Sequence, residues 1–146
     1  MDRGFICTWL QGFEKGLNEL DTKSRSILLK HCARQCADTG VVQSYLRLHR
    51  AVDGDRDAFY NRLSELGNVR REVIVPGREY RICFSECACD LHTAGGVNTP
   101  CLCECSRQSI LYVTETVWIG CKLQVEQEGT VLSGDDECRF RVRFEQ

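Results

Sequence analysis

V-R-R-E-V-I-V-P-G-R-E-Y-R-I-C-F, residues 69–84, is where the chain changes character. On either side of Pro76-Gly77, β-branched and aromatic residues are interleaved with charged ones, the pattern of two strands joined by a tight turn. In the second arm Tyr80, Ile82 and Phe84 share one face, and Arg81, Cys83 and Ser85 share the other. The residues before this hairpin read as helix. Those after it mix helix, strand and a cysteine-rich segment.

Upstream, Phe5, Ile6, Trp9, Leu10, Phe13, Leu17 and Leu20 recur at three- and four-residue steps, one apolar stripe on a first helix. Asp21 or Thr22 caps a second helix through Ile27, Leu28, Cys32 and Cys36, stopped by Gly40. A third runs from Val42 to about Val52, with Val42, Tyr45, Leu46 and His49 on one side. Asp55 caps a fourth, with Phe59, Leu63 and Leu66 inward and Gly67 as its stop. Downstream, Ser106 caps a helix bearing Ile110, Val113, Val117 and Trp118, closed near Gly120. Two strands end the chain. Leu123 and Val125, joined by Val131, point one way; Cys138, Phe140, Val142 and Phe144 alternate with Glu137, Arg139, Arg141 and Arg143. The order α-α-α-α-β-β-α-β-β predicts an α+β domain with an antiparallel sheet. We expect a single domain over 1–146, with residues 1–67 as the helical layer and 68–146 as the sheet, its Cys-rich loop and one helix.

Between the strand ending at Phe84 and the later helix lies C-A-C-D-L-H-T-A-G-G-V-N-T-P-C-L-C-E-C, residues 87–105, which holds five of the eleven cysteines. Read as extended chain, Cys87 and Cys89 point together, as do Cys101, Cys103 and Cys105. Residues i and i+2 in a strand lie roughly 6.5–7 Å apart, at the edge of what a disulfide tolerates. A bridge between the arms, or a metal held by both, fits better. Gly95-Gly96 and Pro100 fold the loop back, so that two facing Cys-x-Cys arms supply the four thiolates zinc prefers. The expected ligands are Cys87, Cys89, Cys103 and Cys105. Cys32 and Cys36, at i and i+4 on one helix face, are substitutes or reserves. Six clustered thiols also suit an iron–sulfur cluster. Structural or redox disulfides, and inert buried thiols, stand as alternatives.

A chain of 146 residues is long enough to bury about two-thirds of its unfolded surface, so it does not need disulfides to fold. The net charge of −2 argues against general affinity for nucleic acid or acidic membranes. No run of about eighteen apolar residues exists, and the first fifteen residues lack a signal-peptide core. The expectation is a cytoplasmic protein whose thiols are kept reduced. His31 and His92 adjoin cysteines and read as surface groups, Cys138 as core, and Arg139, Arg141 and Arg143 as a solvated face opposite Glu126 and Glu128. No Gly-rich phosphate loop, nucleophile elbow or HExxH is present.

V-E-Q-E-G-T-V-L-S-G-D-D-E-C-R-F-R-V, residues 125–142, resembles the closing hairpin of the 4-vinyl-reductase-type ligand-binding domains. It is also similar to the L-2-amino-thiazoline-4-carboxylic acid hydrolase-like family. That second resemblance extends to Cys103-x-Cys105-Ser106, to Cys87-x-Cys89 and to H-C-A-R-Q-C-A, residues 31–37. It implies the fold shared by haem–nitric oxide sensors and trafficking-particle subunits: N-terminal helices on a four-stranded antiparallel sheet, commonly a homodimer. The glycine expected after Cys-x-Cys-Ser is absent, the chain reading Arg107-Gln108-Ser109. Together these readings point to a zinc-thiolate domain that binds a small-molecule ligand, with neither nucleic acid nor membrane as partner. The alternatives are a hydrolase opening a small sulfur–nitrogen heterocycle or amide, and a thiol redox switch.

Overall fold

The structure, a computed structural model, describes residues 2–145. Four helices come first: α1 (Arg3–Glu19), α2 (Thr22–Asp38), α3 (Val41–Ala51) and α4 (Arg56–Arg62), the last continued by a 3-10 turn, Leu63–Leu66. Their starts obey local chemistry. Asp21 accepts from the Ser24 amide at 2.7 Å and Asp55 from the Ala58 amide at 2.8 Å, as N-caps do. Strands β1 (Arg70–Val75) and β2 (Glu79–Phe84) form the expected hairpin around Pro76-Gly77, with Gly77 in the left-handed region. The chain then crosses over through α5 (Asp90–Thr93) and α6 (Cys103–Val117). It returns as β3 (Leu123–Gly129) and β4 (Cys138–Phe144).

All neighbouring strands are antiparallel, in the order β1-β2-β4-β3. The two central strands are therefore far apart in sequence, with Tyr80 opposite Val142 and Phe84 opposite Cys138. β4 alternates as its sequence predicts: Cys138, Phe140, Val142 and Phe144 are buried beneath the helices, and the arginines between them are only half-buried. Phe59 and Tyr60 of α4 meet Trp118 at the end of α6 and Tyr80 of β2 in one aromatic cluster. Tyr60 stacks on Tyr80 at 4.0 Å between centroids, and Phe59 meets Trp118 edge-on at 4.6 Å. The fold is N-terminal helices on a four-stranded antiparallel sheet. Among the described residues no helix is long and apolar enough to cross a membrane.

Three local expectations are corrected. Leu66 is 40% exposed rather than inward, because the 3-10 turn rotates it off the face of α4. Val131 lies in a 3-10 turn, Val131–Ser133, rather than on a strand. α6 begins at Cys103, not at a Ser106 cap. Here Thr99 accepts from the Cys101 amide, and Pro100 opens a 3-10 turn that runs directly into α6. Thr-Pro is a helix-start signature, and it overrides the extended reading of the cysteines behind it.

The outer face of the sheet is a lattice of ion pairs. Glu79 takes both Arg141 and Arg143, at 2.6 and 3.1 Å, and Arg81 bridges Glu72 and Glu128. Arg139 lies near Asp135 and Glu137. The arginine row of β4 is thus a self-paired, solvated face, though Glu79 rather than Glu126 is its main counterion.

Asp57 of α4 ties the helical layer to the hairpin, accepting from the Tyr80 hydroxyl at 2.6 Å and the Gly77 amide at 2.8 Å. The Tyr80 bond, and then the Gly77 amide, hold its carboxyl below the ordinary value of 3.8. A carboxyl with a depressed folded value stabilises the fold above its unfolded value and loses that contribution as pH falls below it. Urea denaturation of Asp57→Asn should show a loss of about 1 kcal/mol at pH 7 that shrinks on acidification below pH 3.8. An equal loss at both pH values would mean that charge plays no part in the tie.

Candidate functional site: a thiol corner clamped by the first helix

Because Phe84 pairs with Cys138, the cysteine loop leaves the sheet beside the start of β4. Cys89 is extended, and α5 then gives the loop one helical turn. The loop packs against α1 rather than against the sheet. Leu10 of α1 is buried with Val97 and Leu102, backed by Phe13, Cys89, Leu91 and Leu132. Polar contacts reinforce the clamp: the Asn98 amide donates to Glu14 at 2.9 Å, the Thr99 hydroxyl donates to Asn18, and the Cys7 thiol lies 3.6 Å from the Ala94 carbonyl. Gly95 sits where no side chain fits, since a Cβ there would lie 2.6 Å from Leu10 and 2.7 Å from the Leu91 carbonyl. Its neighbour Gly96 adopts φ +76°, which glycine accommodates without strain. The glycine pair folds the loop back, as the sequence predicts.

The helical start of α6 changes the geometry of the second arm. Two residues apart on a helix, side chains diverge by about 200°, so Cys103 and Cys105 do not point together as an extended arm would have them. Cys103 is buried, and Cys138, Cys87 and Cys89 lie near enough for their charge to act on it. Cys105 faces the other way, where Cys89, Cys32, Cys36 and Glu104 act on it. The six predicted residues thus fall into two groups about the start of α6, Cys87 and Cys89 on the Cys103 side and Cys89, Cys32 and Cys36 on the Cys105 side, with Cys89 common to both. Cys32 and Cys36 are exposed on α2; Cys87, Cys89 and Cys101 are half-buried.

Burial is the main reason both α6 thiols resist ionisation. It pushes Cys103 up to about 11 and Cys105 up to about 12, and their sulfur neighbours push the same way. At neutral pH they are thiols, not poised nucleophiles. All eleven cysteines are free. Among the described residues no three His, Cys, Asp or Glu side chains converge closely enough to hold a metal. The donor set suits zinc or an iron–sulfur cluster in chemistry, but the sulfurs must close further to coordinate one.

Two features are not legible in the sequence pattern. Cys138, expected in the core, is buried but belongs to the inner thiol group around Cys103; the strand register that brings it there is not local information. The second is a polar knot beside Cys105. Glu104 accepts from Nη2 and Nε of Arg107, at 2.6 and 2.8 Å, together with Gln108 at 2.9 Å and Ser26 of α2 at 3.0 Å. Burial pushes the Glu104 carboxyl up, but these donors outweigh it and leave it below its ordinary value. The Glu-x-x-Arg spacing is visible in the sequence; the Ser26 partner is not. Of the histidines, His92 contacts the Val97 carbonyl at 2.9 Å through Nδ1, a bond that shapes the loop, and His31 is exposed on α2.

No model of a known protein family matches the sequence, and no curated protein matches it. Among solved structures the chain is similar to a trafficking protein particle complex subunit 3 from Naegleria fowleri, solved covalently bound to palmitic acid. The two align with a TM-score of 0.51 and 12% identity, over 99% of this chain and 95% of that one. The likeness establishes the fold: this chain has the architecture of a trafficking-particle subunit.

Gly95→Ala tests the clamp. The added methyl has no room between Leu10 and the Leu91 carbonyl, so the loop must lift from α1. We expect a loss of about 1–3 kcal/mol, with faster hydrogen exchange over residues 90–102. Unchanged exchange there would show that α1 does not hold the loop.

Proposed function

We propose that this chain is a small cytoplasmic domain that holds a thiolate-bound metal, zinc in the first instance, and binds a small ligand beside it. The ligands are drawn from Cys87, Cys89, Cys103, Cys105, Cys32 and Cys36. What supports this reading is that thiols of α2 and of the loop lie within electrostatic reach of Cys103 or Cys105 at the start of α6, so that a modest closing of the loop would bring them together. Zinc would displace the thiol protons and pull the loop onto α2 and α6, so that metal binding stabilises the fold. A metal with one position open would also take the small ligand. Eleven free thiols support a reducing compartment.

The hydrolase reading, which the resemblance to the L-2-amino-thiazoline-4-carboxylic acid hydrolase-like family raises, has less support. Cys103 and Cys105 are pushed away from ionisation, the opposite of an activated nucleophile. The redox-switch reading has no observation that favours it over the metal.

The test is elemental analysis of protein purified under reductant, with free-thiol titration before and after chelation. We expect about one zinc per chain, several thiols released only by chelator, and a lower melting temperature after metal removal. Visible colour with iron and sulfide would replace zinc by an iron–sulfur cluster. Paired variants locate the site: Cys32→Ser with Cys36→Ser abolishes metal if the α2 side holds it, Cys103→Ser if the buried side does. A full set of reactive thiols and no metal would end this reading.

Assembly is part of the same proposal. The neighbour in fold is a subunit of a complex. In this chain α1 buries only Leu10 and Leu17, and leaves Phe5 at 59% and Trp9 at 61% exposure. We read this apolar face as the seat of a homodimer. Sedimentation equilibrium should give a dimer that Phe5→Glu with Trp9→Glu converts to monomer without unfolding. A wild-type monomer at high micromolar concentration would remove the dimer from the proposal.

A further inference from the structure

On the side of α2 away from Cys32 and Cys36, a groove of about 330 Å³ runs between α2 and α6. Ser26 and Gln108 stand at one end, Ile27, Leu111 and Tyr112 give it apolar walls, and Lys30 and Arg34 line its α2 side. On α2 the residues Lys23, Ile27, Lys30 and Arg34 are spaced by four, three and four, so they form one row along the helix. The row spans about 16 Å. Ile27 is 55% exposed within it.

The charge on this row is unspent. The arginines of the sheet face and Arg107 all have carboxylate partners. Among the described residues Lys23, Lys30 and Arg34 form no ion pair. The guanidinium of Arg34 lies over the Tyr112 ring at 5.3 Å, and its Nε is buried without a hydrogen-bond partner. The carboxylate beside that ring, Asp38, accepts the Tyr112 hydroxyl at 2.8 Å. Among the described residues Glu115 is the only acid lining the groove. Glu104 lies close to the Ser26 end but is already engaged by Arg107, Gln108 and Ser26.

We propose that this groove docks an acidic amphipathic helix of a partner protein. Its carboxylates would face Lys30 and Arg34, its apolar side would lie on Ile27, Leu111 and Tyr112, and a non-acidic residue would stand opposite Glu115. A groove between two packed helices accepts a third helix along its length. It stands open along one side, so it would leave a compact ligand largely uncovered. A membrane surface fits less well, because it cannot enter a concave groove and would meet Glu115. The inference does not rest on the proposed metal site, whose α2 cysteines lie on the opposite flank of that helix.

The experiment uses the full chain and three synthetic helical peptides: one with a glutamate row beside a leucine row, one with lysines replacing the glutamates, and one of the acidic composition scrambled. Fluorescence anisotropy should show salt-sensitive binding of the acidic peptide alone, with chemical shift changes centred on Ile27, Lys30, Arg34 and Tyr112. Lys30→Glu with Arg34→Glu should weaken binding by at least about tenfold. Lys30→Ala, at an exposed position, should weaken it less and keeps the test valid if the double variant fails to fold. Equal binding of acidic and scrambled or basic peptides would overturn the proposal. So would binding that survives both variants, or retention on phosphatidylserine vesicles with no peptide bound, which would make the row a membrane contact.

Discussion

The pairing of β2 with β4 is the constraint on which the other features rest. The two strands meet across the entire crossover, so their union costs loop-closure entropy before any contact repays it. Burial on one face offsets that cost: Tyr80 and Ile82 from β2 and Phe140, Val142 and Phe144 from β4 are at most 1% exposed beneath α3, α4 and α6. The same pairing fixes where the cysteine loop starts, opposite Cys138, and α6 fixes where it ends. The loop thiols are held near Cys138 and the start of α6 because both ends of their segment are anchored to one core.

α1 has an unusual place in this arrangement. It packs on the loop rather than the sheet, with two buried side chains along seventeen residues. A helix so lightly anchored depends on the loop as much as the loop depends on it. Ordering of the thiol corner by a metal would therefore be felt at α1, whose exposed aromatic face is the seat we assign to assembly.

α2 separates two chemistries. Its buried edge, Leu29, Ala33 and Ala37, uses small residues to bring α6 close. One flank carries Cys32 and Cys36 toward Cys105, and the other carries Lys30 and Arg34 along the groove, with Arg34 over Tyr112. The outer sheet face is different again. There the arginines find a glutamate or aspartate across or along the strands, so their field is largely cancelled and the charged edges discourage further strand pairing.

Periodicity and caps are properties of neighbouring residues, and these were legible: the four helices, the Pro76-Gly77 hairpin, the in-and-out alternation of β4 and the foldback at Gly95-Gly96. That Cys32 and Cys36 share one face of α2 was legible from their spacing; that this face turns toward Cys105 was not. The direction in which Cys103 and Cys105 point was not, because Thr99-Pro100 starts a helix where alternating cysteines suggest a strand. Strand order, the place of Cys138 beside Cys103, the bond from Ser26 to Glu104 and, among the described residues, the lack of a carboxylate partner for Lys30 and Arg34 were decided only by tertiary structure. Each depends on which distant segment the sheet register and helix packing bring alongside, and no local pattern carries that information.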